Sequence, residues 1–152
     1  MESQVGAFSA TGCKLAAEVL RTHGSLRLRV AGGSMAPAVR PGDTIIVQSC
    51  GMGEVSAGEI VVFMRSGRLV VHRAQASVVD SGESHLLTCG DRNRKLDARV
   101  TGAELLGRVT CIERNGITIS GAARRSLAQK LISRALSYSN RATSLYLRFA
   151  SR

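Results

Sequence analysis

The chain has 152 residues, of which 44% are hydrophobic and only 3% aromatic, and its formal net charge is +10. This length and apolar content fit one compact domain and exclude a disordered chain. Transmembrane and secreted classes are also disfavoured, because the sequence has no apolar run of roughly 18–20 residues and no basic N-terminal region followed by an apolar one.

The first predicted element is a helix over residues 10–23, within a predicted N-terminal segment of residues 1–25. Its apolar positions are Leu15, Val19 and Leu20. A helix of this length can pack one side against a neighbouring sheet.

Residues 26–121 are predicted to form a β domain. Leucine and valine alternate with arginine from residue 26 to residue 30, which is typical of a half-buried strand. Ser66-Gly67 is a suitable two-residue loop for a hairpin. The predicted strands cover residues 26–30, 43–47, 58–65, 68–74, 76–80, 85–89, 105–113 and 117–119. Short turns without intervening helices indicate a small, mainly antiparallel β fold.

Residues 122–152 are predicted to form a basic amphipathic C-terminal helix. They contain seven of the 21 Lys and Arg residues and none of the 11 acidic residues. Such a helix can dock on the domain or on a second copy in a homo-oligomer, which we favour, or lie peripherally on an anionic membrane. Nucleic-acid binding is not expected, because the chain has no reading motif and few aromatic residues for stacking.

The four cysteines lie far apart in the sequence and form no C-x-x-C pair. This spacing does not resemble a zinc site, so we predict reduced structural thiols, no metal and no cofactor. The cysteines are Cys13, Cys50, Cys89 and Cys111.

A serine in a glycine-flanked bend is the most informative motif. The run reads Gly32-Gly33-Ser34-Met35-Ala36-Pro37, followed by Arg40-Pro41-Gly42-Asp43. Glycine lets the backbone turn sharply and leaves room for an approaching peptide. Ser34 is therefore a candidate nucleophile, and its backbone N–H is a candidate oxyanion-hole donor. An ordinary loop is the alternative, and the length of the run disfavours it.

A candidate base and two candidate acids follow downstream. His72 ends an apolar strand, and an imidazole with a reference pKa of about 6.5 can accept a proton at neutral pH. A histidine base needs an acid that orients the ring and stabilises the imidazolium. Asp91 and Asp97 are the two candidates. Asp91 has a second interpretation, in which it shapes the turn or pairs with Arg73.

These motifs, in this order, resemble the signal peptidase I family and its LexA-like self-cleaving relatives over about residues 28–112. In bacterial signal peptidases and LexA-like proteases a lysine fills the position of His72. In signal peptidases of the endoplasmic-reticulum type and in some archaeal and bacterial relatives it is a histidine, and this chain looks like that class. In the endoplasmic-reticulum type the acid follows a Gly-Asp-x-Asn turn by a few residues, which favours Asp97 over Asp91.

The resemblance implies a small, antiparallel β-barrel-like fold with flanking N- and C-terminal helices. It also implies a serine endopeptidase that cleaves a precursor or leader peptide, with Ser34 as nucleophile, His72 as general base and Asp97 as the orienting acid. The alternative is a catalytically silent peptidase-like fold that binds a peptide or a membrane.

Substrate contacts are also implied by the resemblance, since an extended peptide lies beside the serine in these relatives and places small side chains in shallow pockets. Residues 62–64 are expected near such a pocket. The basic run at residues 92–95 either is a solvated loop or favours acidic substrates. The implied oxyanion or substrate-binding residues are Gly32, Gly33, Met35 and Pro37.

Three expected departures from these relatives bear on the substrate. We expect no membrane anchor and no upstream DNA-binding domain, and hence a cytoplasmic or peripheral membrane location. The only Ala-Gly bond near the bend, Ala31-Gly32, is two residues from Ser34, which is too close for self-cleavage. We therefore expect cleavage in trans of a dedicated peptide or protein substrate.

Overall fold

The computed structural model describes residues 9–120, so the predicted C-terminal helix lies outside the described residues. Within them the helix predicted at residues 10–23 and the mainly antiparallel β fold are confirmed. No helix in this part of the chain is both long and apolar enough to cross a bilayer. The elements are α1 Ala10–His23, β1 Ser25–Arg29, β2 Thr44–Ser49, a 3-10 turn Met52–Glu54, β3 Ile60–Arg65, β4 Arg68–Asp80, β5 Glu83–Cys89, β6 Leu105–Arg114 and β7 Ile117–Ser120.

The seven strands form one antiparallel sheet in the order β1-β2-β6-β3-β4-β5, and β7 pairs with β6. No pairing joins β1 to β5 within residues 9–120, so the sheet is open. The central position of β6, between β2 and β3, brings together strands that are far apart in the sequence.

Strand β4 is longer than predicted. The sequence predicts separate strands at residues 68–74 and 76–80, whereas the structure has one strand that pairs first with β3 and then with β5. Ala74 pairs with Thr88 and Ala76 with Leu87, which leaves Gln75 as the additional residue of a β-bulge. The bulge bends the strand and interrupts the alternation without ending the pairing.

Helix α1 packs one side onto the sheet. The side chain of Ser9 accepts a hydrogen bond from the Gly12 N–H at its N-terminus. The buried residues of α1 are Cys13, Ala17 and Leu20, at spacings of four and three. The prediction that Leu15 lies on the apolar side is wrong, since Leu15 is 61% exposed. Two residues correspond to about 200° around a helix, so Leu15 points away from the side of Cys13 and Ala17.

Apolar side chains cover both faces of the central sheet. One cluster packs α1 against β1, β2, β3, β4 and β6, and a second lies on the opposite face. Ile60 and Val62 of β3 belong to the first cluster, while Val61 and Phe63 belong to the second. Because both faces of β3 are buried, apolar residues follow one another along this strand and do not alternate with polar ones.

Candidate active site

The loop that contains Ser34 connects β1 to β2 and is closed at its base. The Val30 N–H donates to the Asp43 carbonyl at 2.8 Å, and the Gly42 N–H donates to the Val30 carbonyl at 2.7 Å. Beyond the serine, the Val39 N–H donates to the Met35 carbonyl at 3.0 Å, and the Ala36–Pro37 peptide bond is cis. The hydrogen bonds fix the bend relative to the end of β1 and the start of β2.

An ion pair anchors the same loop to the end of β6. The buried carboxylate of Asp43 accepts hydrogen bonds from Arg114 Nε at 2.9 Å and Nη2 at 2.7 Å, and from the Arg40 N–H at 2.7 Å. Arg114 also donates to the Ala38 carbonyl at 3.1 Å. The role of Arg114 could not be predicted from the sequence, because nothing local links positions that are 71 residues apart.

The bend brings Ser34 to His72. The Ser34 Oγ lies 2.9 Å from the His72 Nε2, and both residues are buried. His72 sits in β4 opposite Val61 of β3, so the sheet fixes its backbone. The edge of its ring meets the Phe63 ring, with centroids 6.2 Å apart and an interplanar angle of 69°. This packing restricts the orientation of the imidazole.

The other ring nitrogen of His72 faces Asp97. The His72 Nδ1 lies 2.6 Å from the Asp97 Oδ2, and the Thr88 hydroxyl donates to the same oxygen at 2.7 Å. The Asp97 N–H also donates to the Thr88 carbonyl at 2.8 Å, which ties the segment after the turn to β5. Thr88 was not predicted, because its position becomes informative only when β5 is paired with β4.

Two opposing effects determine the ionisation of Asp97. Burial of the carboxyl raises its pKa, but the hydrogen bonds from His72 and Thr88 outweigh burial, and the pKa of Asp97 lies below its ordinary value. An ionised carboxylate can only accept hydrogen bonds, so the proton of the His72 ring belongs on Nδ1. The lone pair of Nε2 then points toward the Ser34 hydroxyl.

Asp91, the second candidate acid, is paired with Arg73. Arg73 Nε and Nη2 each donate to one Asp91 carboxylate oxygen at 2.9 Å, and its Nη1 donates to the Gly58 carbonyl at 2.7 Å. Both side chains are buried. The structure thus places Asp97, and not Asp91, at the His72 Nδ1.

The turn over residues 90–93 packs closely against Ser34. The Arg92 N–H donates to the Ser34 carbonyl at 2.9 Å. A Cβ at Gly90 would lie 3.0 Å from both the Ser34 Cβ and the His72 Nε2. Such distances are tighter than ordinary side-chain contacts, so the close approach of this turn to Ser34 and His72 favours glycine at position 90.

A comparison with protein families matches residues 5–110 to the family described as Peptidase S24-like. The chain belongs to this family. A comparison with curated proteins found no match. Membership supports a serine peptidase-type fold, in agreement with the seven-stranded sheet and its single helix within residues 9–120.

The implied oxyanion and substrate-binding residues of this member of the S24-like family occupy two environments. Gly32 and Gly33 are half-buried, beside Ser34. Met35, which is 1% exposed, and Pro37 are buried, and Met35 packs in the main core. The predicted pocket residues 62–64 include two buried side chains, with only the third partly exposed. The roles of all these residues in substrate contact stay predictions.

No disulfide bond joins the four cysteines, all of which lie within residues 9–120: Cys13, Cys50, Cys89 and Cys111. Burial raises the pKa of Cys50 above its ordinary value, which disfavours the reactive thiolate. No group of three or more His, Cys, Asp or Glu side chains that could hold a metal ion occurs within residues 9–120.

Replacing Asp97 with asparagine is expected to destabilise the protein in a pH-dependent manner. Because the pKa of Asp97 is lowered in the folded state, its carboxylate stabilises the fold fully above its unfolded pKa of about 3.9. This contribution is lost as the pH falls through the folded pKa. The difference in free energy of unfolding between wild type and Asp97→Asn, measured by urea titration, should therefore be largest near neutrality and shrink below about pH 4.

Glu18→Gln, on the exposed side of α1, is the control for loss of one carboxylate. A constant difference between wild type and Asp97→Asn across the acidic range would contradict the assigned ionisation.

Proposed function

We propose that this S24-like peptidase is a serine endopeptidase of the signal-peptidase type, which cleaves a precursor or leader peptide through Ser34, His72 and Asp97. The observation that carries the proposal is one continuous hydrogen-bonded chain. Ser34 Oγ is 2.9 Å from His72 Nε2, and His72 Nδ1 is 2.6 Å from Asp97 Oδ2. Serine acyl transfer uses a nucleophile, a base and an orienting acid that are hydrogen-bonded in this order.

The proposed reaction begins when Ser34 Oγ attacks the scissile carbonyl and His72 Nε2 accepts the hydroxyl proton. Asp97 stabilises the resulting imidazolium and keeps the ring oriented. His72 then donates the proton to the leaving amine, and an acyl-enzyme forms at Ser34. Water, deprotonated by His72, hydrolyses the ester and restores the serine. The backbone N–H of Ser34 is the proposed donor to the oxyanion.

Membership of the histidine-containing class of signal peptidases is the finer part of the proposal. It is supported by a histidine, and not a lysine, within hydrogen-bond distance of the serine. It is also supported by the Gly-Asp-x-Asn turn at residues 90–93 that precedes Asp97. An imidazole with an ordinary pKa of about 6.5 serves as a base at neutral pH, where an ordinary lysine is protonated.

The proposed substrate is an extended peptide with small side chains next to the scissile bond, presented by a dedicated precursor. The half-buried glycines at positions 32 and 33 support this, because they contribute no side chain of their own beside Ser34. Cleavage is proposed to occur in trans.

The proposed activity is tested by measuring cleavage of an extended-peptide library from pH 5 to pH 10 by wild type and Ser34→Ala. We expect wild type to cleave at neutral pH and Ser34→Ala to show no cleavage across this range. Cleavage that survives in Ser34→Ala, or that rises only near the ordinary pKa of a lysine, would contradict the proposed nucleophile or base.

A further inference from the structure

Arg92 lies against the residue that precedes Ser34. Its backbone N–H holds the Ser34 carbonyl at 2.9 Å, and its Nη1 is 3.4 Å from the Gly33 carbonyl. The side chain is partly exposed. It therefore extends from the bend that contains Ser34 to the solvent.

The guanidinium of Arg92 has few hydrogen-bond acceptors within residues 9–120. Its Nε is buried and has no hydrogen-bond partner within residues 9–120, and the contact of Nη1 with Gly33 is longer than an ordinary N–H···O bond. Burial lowers the pKa of Arg92 from its ordinary value, because desolvation disfavours the charged form. An anionic partner would stabilise this cation.

The neighbouring carboxylates are already engaged. Asp91 binds Arg73, and Asp97 binds His72 and Thr88. No carboxylate within residues 9–120 forms an ion pair with Arg92. An anion for this guanidinium therefore has to come from a bound molecule or from outside this part of the chain.

Two other arginines of the protein show which edge of the guanidinium binds a carboxylate. Arg73 holds Asp91, and Arg114 holds Asp43, in each case through Nε and Nη2. In Arg92 the Nε of this edge has no acceptor among the residues that the structure describes, and the side chain contacts these residues by hydrogen bonding only through Nη1. Rotation of the side chain breaks only this long contact among those described, and it presents the Nε/Nη2 edge to an anion.

We propose that Arg92 is a specificity-determining residue that binds an Asp or Glu side chain of the peptide lying against Ser34. The inference rests on the proposed function, since it assumes that the peptide occupies this site. It assigns the acidic preference to one guanidinium, and not to the positive charge of the loop as a whole. Planar, bidentate binding of carboxylate is the interaction that arginine provides and lysine does not.

The test measures binding apart from cleavage. Fluorescent decapeptides that differ only by Glu or Gln at one position, scanned along the peptide, are titrated against Ser34→Ala by anisotropy. We expect one position at which the Glu peptide binds about tenfold more tightly than the Gln peptide. Adding Arg92→Gln should abolish that ratio, whereas Arg92→Lys should retain only part of it.

Lys95→Gln is the matched control, because it removes one exposed positive charge from the same loop. The Glu/Gln ratio should be unchanged in this variant. A purely structural role of Arg92 would weaken both peptides equally and leave the ratio intact in Arg92→Gln. The proposal would be overturned if the ratio stayed intact in Arg92→Gln or fell equally in Lys95→Gln. It would also be overturned if no position showed an acidic preference, or if no peptide bound.

The outcome also separates this inference from the proposed activity. Cleavage by wild type without an acidic preference would support the proposed peptidase activity and contradict the proposed role of Arg92. Glu-selective binding that depends on Arg92, without any cleavage by wild type, would support the role of Arg92 in a peptide-binding protein and contradict the peptidase.

Discussion

Replacing His72 is expected to lower kcat/KM for peptide cleavage by roughly 10⁴- to 10⁶-fold. Without the imidazole, Ser34 loses the base whose Nε2 lies 2.9 Å from its hydroxyl, and an unassisted hydroxyl is a poor nucleophile. His72→Gln is preferred to alanine, because it fills part of the buried space and retains polarity without supplying a base. Cleavage is measured on a peptide selected from the library.

His23→Ala, at the exposed end of α1, is the control and should retain full activity. Thermal unfolding of both variants shows whether a loss arises from chemistry or from folding. If folded His72→Gln kept more than about a tenth of the wild-type kcat/KM, His72 would not be the general base.

The largest expected effect on stability comes from replacing Gly107 with alanine. A Cβ at this position of β6 would lie 2.2 Å from the Gln48 carbonyl oxygen and 2.8 Å from its carbon. Both atoms belong to the backbone of β2, so no side chain can move aside and the two strands have to separate. We expect a loss of at least about 3 kcal/mol of unfolding free energy, or a fall in Tm of about 10 °C.

Gly102→Ala is the matched control, because the nearest atom to its new Cβ would be Met52 Cγ at 3.8 Å, an ordinary contact. Its free energy of unfolding should stay within about 0.5 kcal/mol of wild type. Equal effects of the two substitutions on Tm would contradict the described packing of β2 on β6.

Local chemistry made the hairpin between β3 and β4 predictable. Ser66 and Gly67 have φ values of 50° and 74°, and a two-residue loop with two positive φ angles matches the twist of the strands it connects. The bulge at Gln75 could not be predicted in this way, because it is defined by the residues opposite it on β5 and not by its own sequence.

Long-range pairing accounts for most of what our sequence analysis did not predict. No local pattern places β6 between β2 and β3, and the need for glycine at position 107 follows only from that placement. The Arg114–Asp43 ion pair has the same origin, since it joins the end of β6 to the loop after Ser34. Each depends on contacts between distant segments, which single-residue propensities do not encode.

The candidate site was predicted from a family resemblance and not from spacing. Ser34, His72 and Asp97 are separated by 38 and 25 residues, and nothing in those intervals indicates a contact. The residues themselves left Asp91 and Asp97 as alternatives. The structure separates them, because Asp91 is paired with Arg73 while Asp97 faces the imidazole.

The central claim is that Ser34 is a nucleophile activated by His72, and covalent labelling tests it most directly. Wild type and His72→Gln are incubated with a serine-directed acylating probe, and the adducts are located by intact-mass and peptide-mapping mass spectrometry. We predict one adduct per wild-type chain, at Ser34, and labelling at least about 10²-fold slower in His72→Gln. Absence of an adduct at Ser34, or equal labelling rates in the two proteins, would contradict the account.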